Sequence, residues 1–345
     1  MKIITIEQLH TLLKRHGFDE FLRDLMTALQ RDFGRWKTFT IIPRPAMHVP
    51  GGVLELMPIC DNEEYFSFKY VSGAYPANPS HGKLSITATG QLSGIRDGYP
   101  VMISEMTILT ALRTAATAAL ATDLMSRKDS RVLALIGTGA QSEFQVRGTQ
   151  LVRDITEVRF FDIDAKAMDK FEKNILRQAQ DKSIKLVRCS SAKEAVLGAD
   201  IVTVCTAWKE HVAVLKNEWI TEGMHINGLG GDCPGKTELE KAIVSRSKVV
   251  VEYFDQSIHE GEIQQFTKEE AKKIVYAEMY ELVLGSKKGR SNDKEITLFD
   301  CVGIALEDYA ALRLTYELSK KYHLGEELTM IPNLKDPKDL FSAIK

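Results

Sequence analysis

The 345-residue chain is long for one folding unit, and its composition, 44% hydrophobic and 27% charged, is that of an ordinary globular protein. A net charge of −2 leaves no excess of Lys and Arg to neutralise phosphates, which excludes nucleic acid as the main partner. The five cysteines are scattered and form no C-x-x-C pair, and neither a signal-like leader nor a run of 18 apolar residues occurs, so a cytoplasmic protein without a membrane span is expected.

The first third reads as α+β. Thr5-Ile6-Glu7-Gln8 has capping-box spacing and predicts a helix with Ile6, Leu9 and Leu13 on one side, stopped at Gly17. A second helix follows over 19–33, with Phe21, Leu25 and Leu29 at helical spacing. Strands are expected over 52–59, 65–72, 84–94 and 100–105, separated by Gly, Pro, Asn and Asp. An Ala-, Thr- and Leu-rich helix over 107–125 has side chains small enough for close packing.

After Ser130 strands and helices alternate. Strands are predicted over 131–136, 157–161, 185–188, 201–205, 225–228 and 249–251, with helices over 141–152, 165–179 and 192–197. Val- and Ile-rich strands alternating with helices indicate a parallel sheet covered on both faces. A last helix runs from about Val302 to Lys321. The fold class is therefore α/β: a Rossmann-type dinucleotide-binding domain over 130–300, and a second α+β domain made of 1–129 together with 301–345.

The strand over 131–136 runs straight into Gly137-Thr-Gly-Ala-Gln-Ser142, a G-x-G-x-x-S turn. Gly137 permits the tight turn, Gly139 lets backbone approach a pyrophosphate, and the following helix points free N–H groups at that anion. The next strand ends at Asp162, 25 residues beyond Gly137, where a carboxylate accepts the ribose hydroxyls and repels a 2′-phosphate. NAD is expected rather than NADP. Thr206 closes a further strand at the edge of the same crevice.

Two other strings mislead. Gly230-Gly-Asp-Cys-Pro-Gly-Lys-Thr237 satisfies the Walker A pattern, but Asp232 and Pro234 add negative charge and remove a backbone donor inside the loop. His259-Glu-Gly-Glu262 lacks the second histidine of a zinc helix, and no metal site is expected.

The second domain carries charges in apolar company. Arg44 sits between Pro43 and Pro45, Glu55 shares a strand face with Met57, Lys69 interrupts an aromatic strand, and Arg113 interrupts the helix over 107–125. Buried charges are costly unless paired or liganded. Singly, each reads as an internal ion pair or a snorkelling surface side chain. Together with Asp232 they suit an amino acid bearing a second amine: cations for its carboxylate, Glu55 and Asp232 for its ammonium groups. Asp232, after two glycines that follow a strand, is the candidate acid/base; an Asx-turn is the plainer alternative.

These stretches resemble the ornithine cyclodeaminases. The likeness rests on Ile136-Gly-Thr-Gly-Ala-Gln-Ser-Glu-Phe-Gln145, His225-Ile-Asn-Gly-Leu-Gly-Gly-Asp-Cys-Pro-Gly-Lys-Thr-Glu-Leu239 and Glu260-Gly-Glu-Ile-Gln-Gln265. Glu105 to Thr117, Phe299 to Gly303 and Asp336 to Phe341 extend it. The resemblance implies a homodimeric ammonia-lyase with retained NAD, turning L-ornithine into L-proline and ammonia through an imino acid and a cyclic ketimine. It implies that Arg44, Lys69 and Arg113 bind the substrate carboxylate, that Asp232 moves the proton with Glu55 as the further catalytic candidate, and that Val302 lines the pocket. Cofactor contacts would come from Arg113, Ala140, Gln141, Asp162, Thr206, Leu229, Gly230, Gly231, Asp232 and Lys236. Ser85 and Cys301 complete them, standing where relatives carry threonine and serine. A ketimine reductase or amino-acid dehydrogenase on the same scaffold, a lysine-type cyclodeaminase and a non-enzymatic binding protein remain the alternatives.

Overall fold

The computed structural model describes residues 1–73, 75–178, 184–207, 212–231 and 233–344. The chain opens with β1 (Lys2–Ile4), α1 (Ile6–His16) and α2 (Phe18–Gly34). Thr5 caps α1 by accepting the Gln8 N–H, and Gly17, at φ +94°, ends it. Next come β2 (Thr40–Ile41), β3 (Ala46–Val49), β4 (Gly52–Cys60), β5 (Tyr65–Gly73), β6 (Thr87–Gly94), β7 (Pro100–Glu105) and α3 (Thr107–Met125). In the expected strand over 84–94, residues 84–86 belong to the loop, so Ser85 lies outside the sheet; its carbonyl accepts the Tyr75 N–H.

The second part runs β8 (Val132–Ile136), α4 (Ser142–Val152), β9 (Glu157–Phe161), α5 (Ala165–Gln178), β10 (Lys185–Arg188), α6 (Ala192–Val196), β11 (Ile201–Val204) and β12 (His225–Gly228). Then follow α7 (Lys241–Arg246), β13 (Lys248–Val251), α8 (Phe254–Glu260), α9 (Lys268–Ile274), β14 (Val275–Glu278), α10 (Met279–Val283) and β15 (Thr297–Asp300). The last elements are α11 (Ala305–Lys321) and β16 (Glu326–Glu327). The expected helix from Val302 starts instead at Ala305, because the Val302 and Gly303 N–H groups are taken by a Glu252 carboxylate.

Two sheets result. One has the order β16-β1-β7-β6-β5-β4-β2, with β3 also on β4; its β4–β7 meander is antiparallel. The other is fully parallel, in the order β10-β9-β8-β11-β12-β15-β13-β14. The strand order reverses between β8 and β11, where open parallel sheets leave a ligand crevice at their carboxyl ends. The short β15 inserts between β12 and β13, which brings the 301–304 segment to that same edge.

α3 lies within the core that joins the sheets. Gly148 on α4 lets the helices touch: a Cβ there would stand 2.8 Å from the Ala115 carbonyl. Among the described residues α3 is the one helix long and apolar enough to cross a membrane, yet it is mostly buried here. A polar ladder ties it to the parallel sheet, with Asn227 donating to Thr122 at 3.0 Å and His225 bonding Thr297 at 2.9 Å and Asn227 at 3.1 Å.

Candidate active site

The turn after β8 has the geometry a dinucleotide loop needs. Gly137 adopts φ +94°, and a Cβ there would lie 2.8 Å from the Cys205 carbonyl oxygen. Only glycine fits so close to the neighbouring strand end. Gly139 has nothing within 4 Å of the position its Cβ would take, so the backbone there faces open space at the amino end of the 11-residue α4. Asp162, one residue past β9, accepts the Thr138 N–H at 2.6 Å and the Asp164 N–H at 2.9 Å. Ser142, in place of the third glycine, is fully buried and donates to the Gly139 carbonyl at 2.7 Å. These residues fit a dinucleotide.

Across the crevice, Thr206 donates its hydroxyl to Glu238, and the Lys236 ammonium donates to the Thr206 carbonyl at 3.1 Å. Gly230 lies directly under the Glu238 carboxylate, where any Cβ would overlap it. The segment after Lys236 is extended, bridging Leu215 at Leu239, and helix starts only at Lys241. A phosphate-cradling loop leads straight into its helix, so the Walker-like string lacks that geometry here. Asp232 lies outside the described residues.

The charged residues of the other sheet converge. Arg44, in the coil before β3, grips Glu260 at the end of α8 with its Nε 2.8 Å and its Nη2 2.5 Å from Oε2. It also lies 3.5 Å from Glu55 and donates to the Val302 carbonyl at 3.2 Å. Lys69 points inward from β5 and donates to Asp308 at 2.9 Å, and Arg113 stands 3.2 Å from the same Asp308 oxygen. Arg113 also donates to Glu307 at 2.5 Å. Gly303, at φ +78°, makes room for it: a Cβ there would lie 2.5 Å from the guanidinium. Burial pulls the Lys69 ammonium down to about 8, against the upward pull of Asp308.

Carboxylates behind the site tie its two halves together. Asp300, at the end of β15, accepts the N–H groups of Glu262 and Ile263 at 2.8 and 3.1 Å. Glu262 in turn accepts those of Glu238 and Leu239 at 2.8 and 3.1 Å. Burial lifts Asp300 to about 7; burial and then Asp300 push Glu262 up as well. The chain from β15 through the turn after α8 thus fixes both the Arg44 partner and the strand leading out of the glycine-rich loop. Among the described residues, no three His, Cys, Asp or Glu side chains are arranged to hold a metal ion.

This arrangement matches a known family. The ornithine cyclodeaminase/mu-crystallin family model matches residues 8–322. The chain belongs to the ornithine cyclodeaminase/mu-crystallin family. An ornithine cyclodeaminase of Agrobacterium fabrum is 42% identical over 341 residues, 99% of this chain and 94% of the relative. A lysine cyclodeaminase, solved for its recognition of L-lysine, L-ornithine and L-2,4-diaminobutyric acid, superposes with a TM-score of 0.90 at 25% identity, covering 99% of this chain and 98% of that one. An archaeal alanine dehydrogenase dimer with bound NAD gives 0.86 at 30% identity, covering 96% and 99%.

The fold of this family brings Arg44, Glu55, Lys69, Arg113 and Val302 into one cluster. Gly137, Gly139 and Asp162 stand at the turn after β8, with Ala140 and Gln141 just before α4, while Thr206, Lys236 and Glu238 meet beside Gly230, flanked by Leu229 and Gly231. Cys301, buried between them, donates its backbone N–H to the Gly228 carbonyl. Met57 is opposite Lys69 in the β4–β5 register but packs in the hydrophobic core. Ser85, in its loop, makes a contact that does not join it to the others. The sequence reading overlooked Glu238, Glu252, Glu260, Glu307 and Asp308. Glu307-Asp308 interrupts an Ala- and Leu-rich helix just as Arg113 does, and the same reasoning finds it.

Proposed function

We propose that the chain is an NAD-dependent ornithine cyclodeaminase, converting L-ornithine into L-proline and ammonia. The observation that carries this reading is the meeting of Arg44, Lys69 and Arg113, from three separate elements, with Glu55 in one buried cluster. Such a cluster suits an α-carboxylate flanked by amines. The full-length likeness to an ornithine cyclodeaminase supports ornithine as the diamino acid.

NAD is assigned to the crevice of Gly137, Gly139, Ala140, Gln141 and Asp162, with Thr206, Leu229, Gly230, Gly231, Lys236, Arg113 and Cys301 toward its nicotinamide end and Ser85 carried over from the family likeness alone. Asp162 would repel a 2′-phosphate, which favours NAD over NADP. When bound, NAD supplies a reversible hydride acceptor, so one site serves both oxidation and reduction. The chain's own residues do the rest. Arg44, Lys69 and Arg113 hold the carboxylate, and their acidic partners keep them in place before substrate arrives. Glu55 receives the side-chain amine and curls it toward Cα, with Val302 as a wall. Asp232 takes a proton from the substrate and returns it to the product.

The same reading assigns residues 130–300 to NAD binding, and 1–129 together with 301–345 to substrate binding and dimerisation. Met47, Leu56 and Tyr70 are exposed on the outer strands, with Leu56 and Tyr70 directly paired, and this apolar patch supports a homodimer. Cys60, Cys189, Cys205 and Cys301 are free thiols, in keeping with a cytoplasmic protein. An amino-acid dehydrogenase is the second reading, favoured by the alanine dehydrogenase likeness. Purified chain given ornithine, lysine or diaminobutyrate separates the two when ammonia, cyclic product and NADH are followed together. A cyclodeaminase releases one ammonia per cyclic product without net NADH; NADH rising in step with product means a dehydrogenase.

A further inference from the structure

Behind the amino-acid cluster two carboxyls face each other. Glu252, just after β13, is fully buried. Its Oε2 accepts the Val302 and Gly303 N–H groups at 2.8 and 2.7 Å, and its Oε1 accepts the Cys301 thiol at 2.9 Å. Glu307, in the first turn of α11, gives Oε2 to Arg113. Its Oε1 is buried with no N–H or hydroxyl donor among the described residues. The Glu252 carboxyl is the neighbouring group set against it, and Glu307 Oε1 is left without a donor beside it. Ionised carboxylates only accept, so such a contact requires that one of the two keep its proton.

We propose that Glu252 and Glu307 share one proton, and that this pair positions Arg113 and the 301–303 segment for the substrate. Arg113 from α3 and Asp308 from α11 face the pair, as does Cys301 after β15. Lys69 from β5 reaches Asp308, and Arg44 reaches the Val302 carbonyl. Among the described residues, Glu55, Glu260, Glu252, Glu307 and Asp308 make five carboxylates against the three cations Arg44, Lys69 and Arg113. A retained proton brings the cluster to four against three. Burial, and next the charge of Glu252, holds Glu307 well above the ordinary carboxyl range. The pair acts through Arg113 and the backbone after β15, so both are positioning residues. Losing the proton at high pH sets two carboxylates against each other and loosens the segment that carries Val302.

Infrared difference spectroscopy tests this without using the reaction. Wild type minus Glu307→Gln, at neutral pH, should show the carbonyl stretch of a protonated carboxylic acid, and Glu252→Gln should remove the same band. Protonated Asp300 or Glu262 contributes equally to both proteins and cancels. The absence of that band overturns the proposal. So does failure of Glu307→Gln to fold, because a neutral isostere should satisfy the same partners. The kinetic arm rests on the proposed reaction. Glu307→Gln should keep KM for ornithine within about tenfold and flatten the alkaline fall of kcat/KM. Glu307→Ala, which strands Arg113 and Glu252, should raise KM by about a hundredfold. An unchanged alkaline limb in Glu307→Gln counts against the pair. If the band behaves as expected and ornithine is not consumed, the shared proton stands and the reaction assignment falls.

Discussion

Four of the five described carboxylates of the amino-acid cluster hold a cation: Glu55 and Glu260 hold Arg44, Asp308 holds Lys69 and Arg113, and Glu307 holds Arg113, while Glu252 holds backbone N–H groups. A carboxylate engaged in this way is committed to its partner before substrate arrives. The proposed reaction assigns the proton to Asp232, which follows two glycines in the sequence. Asp232→Asn is nearly isosteric and cannot cycle a proton, so it should bind NAD and ornithine and melt within a few degrees of wild type. Proline output should fall by roughly 10²–10⁴-fold, the usual loss for a positioned acid/base. Near-normal turnover would move the role to Glu55; unfolding would make Asp232 a turn residue. Arg44, Glu55, Lys69 and Arg113 were legible as charges in apolar elements, but their partners were not. Lys69 and Asp308 lie 239 residues apart, and no local pattern says which buried charge meets which. Glu260 was obscured by His259, which drew attention to a metal pattern instead.

At the scale of elements, the long periodic segments could be read from sequence, and α3, β7, β9, β10 and β12 have the expected ends. Several other short elements could not. β15 is four residues long and was not expected, and its place between β12 and β13 is set by topology rather than by periodicity. That strand delivers Asp300, Cys301 and Val302 to the site, so part of the site was hidden with it. β12 carries a testable consequence of its burial. Burial, and next the charge of Arg290, drives His225 down to about 3, so the folded chain keeps the ring neutral where an unfolded chain takes a proton near pH 6.5. The unfolded state then binds more protons as pH falls through 6.5 toward 3, and stability falls by up to about 1.4 kcal/mol per pH unit. Asp300, raised to about 7, contributes the opposite slope over part of that range, so the total alone decides nothing. His225→Asn should be less stable than wild type at pH 7 in urea titrations, yet lose less between pH 7 and pH 5. Equal losses in the two proteins would mean that His225 is protonated in the folded state.

At the scale of the whole molecule, the two sheets meet along α3, α11 and the 301–304 segment, and the charged cluster sits at that junction, where Glu260 also reaches the glycine-rich loop at Gly231. Sequence showed two kinds of texture and their order in the chain. It grouped 301–345 with 1–129 but could not show β15 entering the parallel sheet, because that pairing depends on packing across the whole chain. In the proposed reaction this placement serves one chemical purpose: the same α-carbon loses and regains its hydrogen without the product leaving. L-ornithine deuterated at Cα, supplied with purified chain and no NAD beyond what the protein binds, tests this directly by mass spectrometry of the product. Internal hydride return predicts L-proline that keeps the deuterium at Cα, one ammonia per proline, and no accumulation of NADH. Proline that has lost the deuterium to solvent, or an oxidised product formed together with NADH, would contradict it.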